Sequence, residues 1–156
     1  MDPGGKYKAV LVGGLITGLG PFVPVLNLAC CLFPLAGAFV AVAIYRNSHP
    51  AVTPTYNEGM VLGALSGLAG AVLYAILLIP LALLIGGTIA DLVGRYIPNA
   101  AEMPPGIPPF VGNLLANFGN LIGLIVAIKV ISHLALSLVF GIAGGLIGIA
   151  VYGKGR

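Results

Sequence analysis

The sequence predicts an all-α integral membrane protein, and three observations support this fold class. Hydrophobic residues make up 59% of the 156 residues and charged residues only 7%, whereas a soluble domain has about 25% charged residues. Three apolar blocks each exceed the roughly 20 residues that a helix needs to cross a bilayer. Glycine recurs at four-residue spacing in these blocks, which is typical of helices that pack closely in lipid. We therefore expect residues 1–156 to form a single membrane domain with four transmembrane helices.

The first block, residues 9–45, is too long for one span, and its middle contains residues that interrupt helices. These residues are Gly20, Pro21, Pro24 and Asn27. We predict a hairpin with spans at about 8–23 and 27–45. The side chain of Asn27 can cap the second helix. Pro34 lies inside that helix and removes one backbone hydrogen bond, which predicts a kink.

The second block, residues 60–90, would reach ~46 Å as one straight helix, which exceeds the roughly 30 Å hydrocarbon core. We predict a span at about 59–83 that bends near Pro80. Beyond the span, an amphipathic extension would carry Asp91 and Arg95 out of the hydrocarbon.

The second half of the chain contains a proline-rich connection and a third apolar block. Residues 98–109 include five prolines and a single charge, which predicts an irregular surface segment. The third block, residues 110–152, has three polar residues at its middle: Lys129, Ser132 and His133. We predict the last span at 131–152, preceded by an amphipathic helix at 110–128 that is interfacial or re-entrant.

Basic residues predict the orientation, because cytoplasmic loops of membrane proteins carry an excess of Lys and Arg. If there are four spans, Arg95 and Lys129 lie on one side of the membrane. The other five basic residues lie on the opposite side: Lys6, Lys8, Arg46, Lys154 and Arg156. We therefore expect the N- and C-termini to be cytoplasmic.

Small residues four positions apart allow two helix backbones to approach closely, and they occur in the first, third and last predicted spans. The candidate helix-packing residues are Gly14, Gly18, Gly63, Gly67, Gly70, Gly141, Gly144, Gly145 and Gly148. Their spacing does not distinguish packing inside the chain from self-association or contact with other membrane subunits. Residues 11–19 and 60–68 share one glycine phase, which hints at a duplicated helix pair.

His133 is the candidate cofactor-binding residue, because an ionisable group within or beside a span is costly and often functional. Lys129 lies one turn earlier on the same helix face. The imidazole could ligate a haem iron or a chlorophyll-type magnesium, or it could relay protons. Alternatively, both residues lie at head-group level where the last span enters the membrane, and no cofactor is bound.

Asn113, Asn117 and Asn120 form a polar stripe on one face of the predicted helix at 110–128. The stripe could line a water-filled path or bond to another subunit. It could also be the wet side of a helix that lies in the membrane interface.

The sequence predicts neither an enzyme nor a nucleic-acid-binding protein. It contains no phosphate-binding loop, no metal-ligand spacing and no nucleophile motif. Its basic residues flank apolar runs instead of clustering as contacts to a phosphate backbone would. Cys30 and Cys31 are adjacent and could be palmitoylated, form a redox pair, or serve as small packing residues.

Residues 25–32 read Val-Leu-Asn-Leu-Ala-Cys-Cys-Leu, after a glycine-rich short helix and a Gly-Pro turn, and before a glycine-rich third helix. With its central Asn-Leu-x-Cys-Cys-Leu string, the first half of the chain resembles an uncharacterised group of small prokaryotic multi-span membrane proteins. The resemblance implies a four-helix protein of the prokaryotic cytoplasmic membrane, and it implies no activity.

Many packing motifs and few reactive groups favour a non-catalytic structural or accessory subunit that packs through its glycine-rich faces against itself or other membrane subunits. In this hypothesis the proline-rich connection at 98–109 and the asparagine-striped helix at 110–128 form the exposed contact surface. A small transporter or channel is the alternative, because the interruption at 21–27 and the bend at Pro80 can expose backbone groups to a substrate path. A haem- or pigment-associated accessory subunit of an electron-transfer or light-harvesting complex is a third hypothesis, and it depends on His133.

Overall fold

The structure, a computed structural model, describes residues 3–22, 31–50, 54–96 and 117–152. Within these ranges the secondary structure is helical, without strands, which confirms the all-α prediction. The elements are α1 (Pro3–Leu19), a 3₁₀ turn (Gly20–Phe22), α2 (Leu32–Ser48), α3 (Tyr56–Tyr96) and α4 (Phe118–Tyr152). The predicted connection at 98–109 lies outside the described residues.

Contacts divide the chain into two compact units, and the single membrane domain stays a prediction. We call Met1–Ala75 together with Val130–Arg156 the four-helix unit, and Ile76–Lys129 the two-helix unit. The first contains α1, α2, the first half of α3 and most of α4. The second contains the rest of α3 and the beginning of α4.

The first apolar block divides into two helices, as predicted, but the second helix begins later than expected. It starts at Leu32, after Cys31 as its N-cap, and the predicted cap, Asn27, lies outside the described residues. Pro34 therefore occupies the first turn, where a backbone N–H has no acceptor within the helix. At this position a residue other than proline would donate no backbone hydrogen bond within the helix. Pro34 therefore removes none, and the predicted reason for a kink does not apply.

Helix α3 starts with a capping box and continues through Pro80 as one element of 41 residues. Glu58 Oε2 accepts hydrogen bonds from Thr55 N at 2.9 Å and Thr55 Oγ1 at 3.3 Å, which satisfies backbone groups at the helix start. The predicted extension beyond residue 83 is helical as far as Tyr96.

Helix α4 crosses the boundary that we predicted between a helix at 110–128 and a span at 131–152. It runs unbroken from Phe118 to Tyr152, so the two predicted elements are one helix over these residues. Lys129 and His133 did not end it, because a polar side chain leaves the backbone hydrogen bonds intact. Proline, which removes such a bond, is absent from this segment.

Two helical segments are long and apolar enough to cross a membrane: Tyr56–Thr88 in α3 and Leu121–Tyr152 in α4. Leu32–Ser48 is a shorter apolar helix, and α1 has 17 residues. At about 1.5 Å per residue, the two long segments measure ~50 Å and the two short helices ~26 Å.

The helices of the four-helix unit form a ring in the order α1, α3, α4, α2, with each helix in contact with its two neighbours. Helices α1 and α2 are antiparallel, since Gly13 lies against Gly37 while Gly5 lies against His49. Helices α3 and α4 are antiparallel as well. One core cluster draws residues from all four helices: Ala9, Ala41, Val42, Tyr45, Leu62 and Ile149.

Candidate functional site

Each helix of the four-helix unit presents two small residues, four positions apart, to the next helix of the ring. Four pairs do this: Gly14 and Gly18 of α1 face α3, Gly63 and Gly67 of α3 face α4, Gly144 and Gly148 of α4 face α2, and Gly37 and Ala41 of α2 face α1. Each of the four contacts in the ring is therefore made through a pair of small residues at the same spacing. Close approach at such pairs is how helices pack where lipid, not water, surrounds them.

The obstacles at these contacts are mostly backbone atoms, which cannot move aside as a flexible side chain can. A Cβ added to Gly18 would lie 2.7 Å from the carbonyl oxygen of Gly70, and one added to Gly141 would lie 2.6 Å from that of Gly63. Cβ atoms on Gly63 and Gly67 would collide with the backbone of α4. Any larger residue at these four positions must push two helices apart.

All nine glycines singled out in the sequence lie against another helix of the same chain. Three of the nine are not used in the ring pairs: Gly70 meets Thr17 of α1, Gly141 meets Gly63 of α3, and Gly145 meets Gly59 of α3. The glycine faces are thus occupied inside the four-helix unit. Sequence reasoning missed Gly13, Gly37 and Gly59, although the spacing of Gly37 to Ala41 and of Gly59 to Gly63 gave the same signal.

The hinted similarity between helices extends to α2 and α4. Residues 35–45 read LAGAFVAVAIY and residues 142–152 read IAGGLIGIAVY, with identical residues at four of eleven positions and aliphatic or small replacements at most of the rest. The aligned glycines, Gly37 and Gly144, both belong to the ring pairs. The helix pair α1 and α2 and the helix pair α3 and α4 therefore share a pattern of small residues.

Among the described residues of the four-helix unit, four polar side chains are buried, and two of them lack hydrogen bonds. Thr17 Oγ1 donates to Gly13 O and Ser66 Oγ donates to Gly63 O, each at 3.0 Å. Ser137 Oγ and His133 Nε2 are buried with no hydrogen-bond partner. Both lie on α4, one turn apart, on the side that faces α3. An unmade hydrogen bond of this kind costs about 1–3 kcal/mol.

His133 lies inside the four-helix unit, and its predicted position at head-group level stays a prediction. Its side chain is 8% exposed, and its ring centroid lies 4.2 Å from that of Tyr74 on α3. Tyr74 in turn contacts Phe22, with ring centroids 5.4 Å apart. Lys129, one turn before His133, is exposed.

The geometry around His133 does not suit a haem or a chlorophyll-type pigment. Nε2, one of the nitrogens that would ligate a metal, is enclosed by protein, and the ring packs against Tyr74. A macrocycle could reach Nε2 only if α4 moved away from its neighbours. Among the described residues, no three His, Cys, Asp or Glu side chains come together as a metal site.

The predicted asparagine stripe falls largely outside what the structure describes. Asn113 lies outside the described residues, and for Asn120 only the backbone is described. Asn117 is exposed directly before α4, and its carbonyl oxygen accepts a hydrogen bond from Leu121 N at 2.9 Å. Of the two cysteines, Cys30 lies outside the described residues, and Cys31 is half-buried at the start of α2.

In the two-helix unit, the three glycines whose surroundings are described have fewer close neighbours than the glycines of the four-helix unit. A Cβ on Gly87 or Gly123 would have no atom within 4 Å, and one on Gly86 would meet the Ile122 side chain at 2.8 Å. Large apolar side chains around them are exposed, for example Leu84 at 71%. Small residues therefore lie among exposed apolar ones here, and Gly87 and Gly123 have no close neighbour within the described part of the chain.

Comparisons with known proteins give no match for this chain. No protein-family model matches it, and neither a curated protein nor a solved structure is significantly similar to it.

Proposed function

We propose that the protein is a multi-pass integral membrane protein that serves as a non-catalytic structural or accessory subunit of a membrane assembly. The observation that carries this proposal is the face of the two-helix unit around Gly87 and Gly123, where small residues lie among exposed apolar ones. Small residues on an exposed helix surface allow another helix to approach closely in a membrane. The face would thus hold either a second copy or a different subunit.

Exposed apolar side chains support the membrane setting. Leu11 on α1, Leu83 on α3 and Ile131 on α4 are 62%, 69% and 66% exposed, and such a surface is costly in water, at about 25 cal/mol per Å². Lipid removes this cost. Four spans would place five basic residues, including Lys6 and Arg46, on the cytoplasmic side with both termini.

The contact surface in this proposal differs from the one that the glycine pattern first indicated. The glycine pairs of α1, α3 and α4 are occupied within the chain, so they are unavailable to a partner. What remains is the two-helix unit, together with the segment before α4 that carries Asn117. The partner would be another membrane helix, because the residues around Gly87 and Gly123 are aliphatic.

The test is the size of the species extracted from its own membrane in a mild detergent. Size-exclusion chromatography with light scattering should give a protein mass larger than that of one chain. Gly87→Leu and Gly123→Leu should shift the protein toward the single-chain mass while its helical circular dichroism stays unchanged. A single-chain mass for the unaltered protein, with nothing else co-purifying, would contradict the proposal.

A small transporter or channel is the second candidate, and the buried polar atoms of α4 favour it. His133 Nε2 and Ser137 Oγ lack partners beside the glycine contact of Gly67, where a small separation of α3 and α4 would open a polar path. Proteoliposomes of the purified protein should then move a solute or ion faster than empty vesicles, and His133→Phe should abolish the difference. Equal flux in both vesicles would rule this candidate out.

A further inference from the structure

We propose that a groove between α1 and α3 binds a phospholipid with a phosphoethanolamine headgroup, an inference that rests on the proposed membrane location. The groove has a volume of 170 Å³ and is lined by Lys6, Asn57, Glu58, Val61, Leu62 and Leu65. Pockets for drug-sized ligands measure about 300–1,000 Å³, so this groove suits a headgroup better than an entire lipid.

Polarity changes along the groove in the order found in a phospholipid. Asn57 and Glu58 belong to the first turn of α3, whereas Val61 and Leu65 follow one and two turns later. From Glu58 to Leu65 the helix rises about 10 Å. A headgroup at the polar end would therefore place the upper acyl chain along the aliphatic end.

The two charges that line the groove are not paired with each other. Lys6 and Glu58, which both lie in the described part of the chain, form no ion pair. The Lys6 ammonium instead lies 5.7 Å from the Tyr45 ring centroid. Glu58 is held by its hydrogen bonds from Thr55. A zwitterion satisfies both charges, because its phosphate can accept from Lys6 while its primary ammonium donates to Glu58.

Two exposed tyrosines indicate that the polar end of the groove lies at the membrane surface. Tyr7 follows Lys6 on α1 and Tyr56 opens α3, and they are 69% and 59% exposed. Tyrosine is enriched where lipid headgroups meet the hydrocarbon. At that level a lipid phosphate and its ammonium lie within reach of Lys6 and Glu58.

The experiment measures lipid retention by the full-length protein, using native mass spectrometry after exchange into micelles with one added lipid. The added lipids are phosphatidylethanolamine, phosphatidylcholine and phosphatidylglycerol with identical chains. The unaltered protein should retain phosphatidylethanolamine about tenfold better than the other two, the effect of one charge-assisted hydrogen bond. Glycerophosphoethanolamine, which lacks acyl chains, should not displace it.

The variants separate the two charges. Lys6→Gln should lower retention of all three lipids about tenfold, because each of them uses the phosphate contact. Glu58→Gln should lower only phosphatidylethanolamine, and its fold should persist because Gln also completes a capping box. Lys8→Gln is the matched control, since Lys8 is exposed on the same helix and does not line the groove.

Equal retention of the three lipids, or an equal loss from Lys8→Gln and Lys6→Gln, would overturn the lipid site. Displacement by glycerophosphoethanolamine would overturn it in favour of a soluble phosphate ligand. Carbonate extraction of membranes keeps this result separate from the proposed function. Release of the unaltered chain by carbonate contradicts the membrane location itself, whereas a carbonate-resistant chain without lipid preference overturns only the site.

Discussion

The four-helix unit and the two-helix unit are both built from apolar helices, yet described glycines in the two units differ in their surroundings. Gly63 and Gly67 lie against the backbone of α4, whereas Gly87 and Gly123 have no atom within 4 Å of an added Cβ. Within 76–88 and 121–129, the residues of the two-helix unit whose side chains are described, only Gly86 is buried. Hydropathy therefore does not predict which helix faces pack together. Packing depends on the residues that lie opposite each small residue.

Gly63→Leu should give the largest effect, because the new side chain would collide with the carbonyl of Gly141. Overpacking of this kind costs about 1–3 kcal/mol, and we expect the upper end since backbone blocks the way. The measurement is thermal unfolding in detergent, followed by circular dichroism. Gly87→Leu is the matched control and should leave the unfolding temperature unchanged or slightly higher. An equal decrease in unfolding temperature for both variants would contradict the difference in packing between the two units.

Gly123→Leu and Gly87→Leu should act on association instead of folding. Both add an exposed side chain to an open face, so the free energy of unfolding should change by less than about 0.5 kcal/mol. A partner helix seated on the face would be displaced, and the mass of the detergent-extracted assembly should fall. An unchanged assembly mass would show that this face contacts only lipid.

The sequence predicted the helical class well, because long apolar blocks and helix-breaking residues are local signals. Gly20 and Pro21 were named as residues that interrupt the helix, and α1 ends directly before them at Leu19, although the span was predicted to continue to residue 23. The boundary predicted near Lys129 was wrong for the helix, since polarity there does not interrupt backbone hydrogen bonding, and α4 continues. The start of α2 was also missed, because Asn27 was a plausible cap and nothing local favoured Cys31.

The candidate site was only partly predictable. Every glycine chosen by spacing lies at a helix contact, but spacing could not say which helix it faces. On α3, Gly63 and Gly67 face α4 while Ser66 and Gly70 face α1, and the two faces differ only by a three-residue shift. The burial of the His133 side chain could not be predicted from the sequence either, because His133 packs against Tyr74, which is distant in the chain.

Ser137→Ala should stabilise the four-helix unit by about 1 kcal/mol, because it removes a buried hydroxyl that makes no hydrogen bond. Ser66→Ala should instead destabilise it by about 1 kcal/mol, because its bond to Gly63 O is lost. Thr88→Ala is the control from the two-helix unit, where an exposed Oγ1 donates to Leu84 O, and it should be neutral. Chemical denaturation in mixed micelles measures all three. A destabilising Ser137→Ala would mean that the hydroxyl has a partner.

Thr55→Ala should have the smallest effect, confined to the beginning of α3. It removes the capping hydroxyl that bonds to Glu58, which costs about 0.5–1 kcal/mol. Hydrogen exchange at the amides of residues 56–59 should accelerate, while exchange in the two-helix unit stays constant. Faster exchange throughout α3 would indicate that the two units unfold together.

Site-specific photocrosslinking in native membranes tests whether the surface around Gly87 and Gly123 is the contact surface of the protein. A photoreactive phenylalanine analogue is placed at position 87 or 123, and at position 11 as a control, since Leu11 is an exposed residue of the four-helix unit. We predict one covalent protein adduct of defined mass from positions 87 and 123, and none from position 11. Adducts of equal yield from all three positions, or none from 87 and 123, would contradict the division of the molecule into a self-contained packed unit and a partner-binding one.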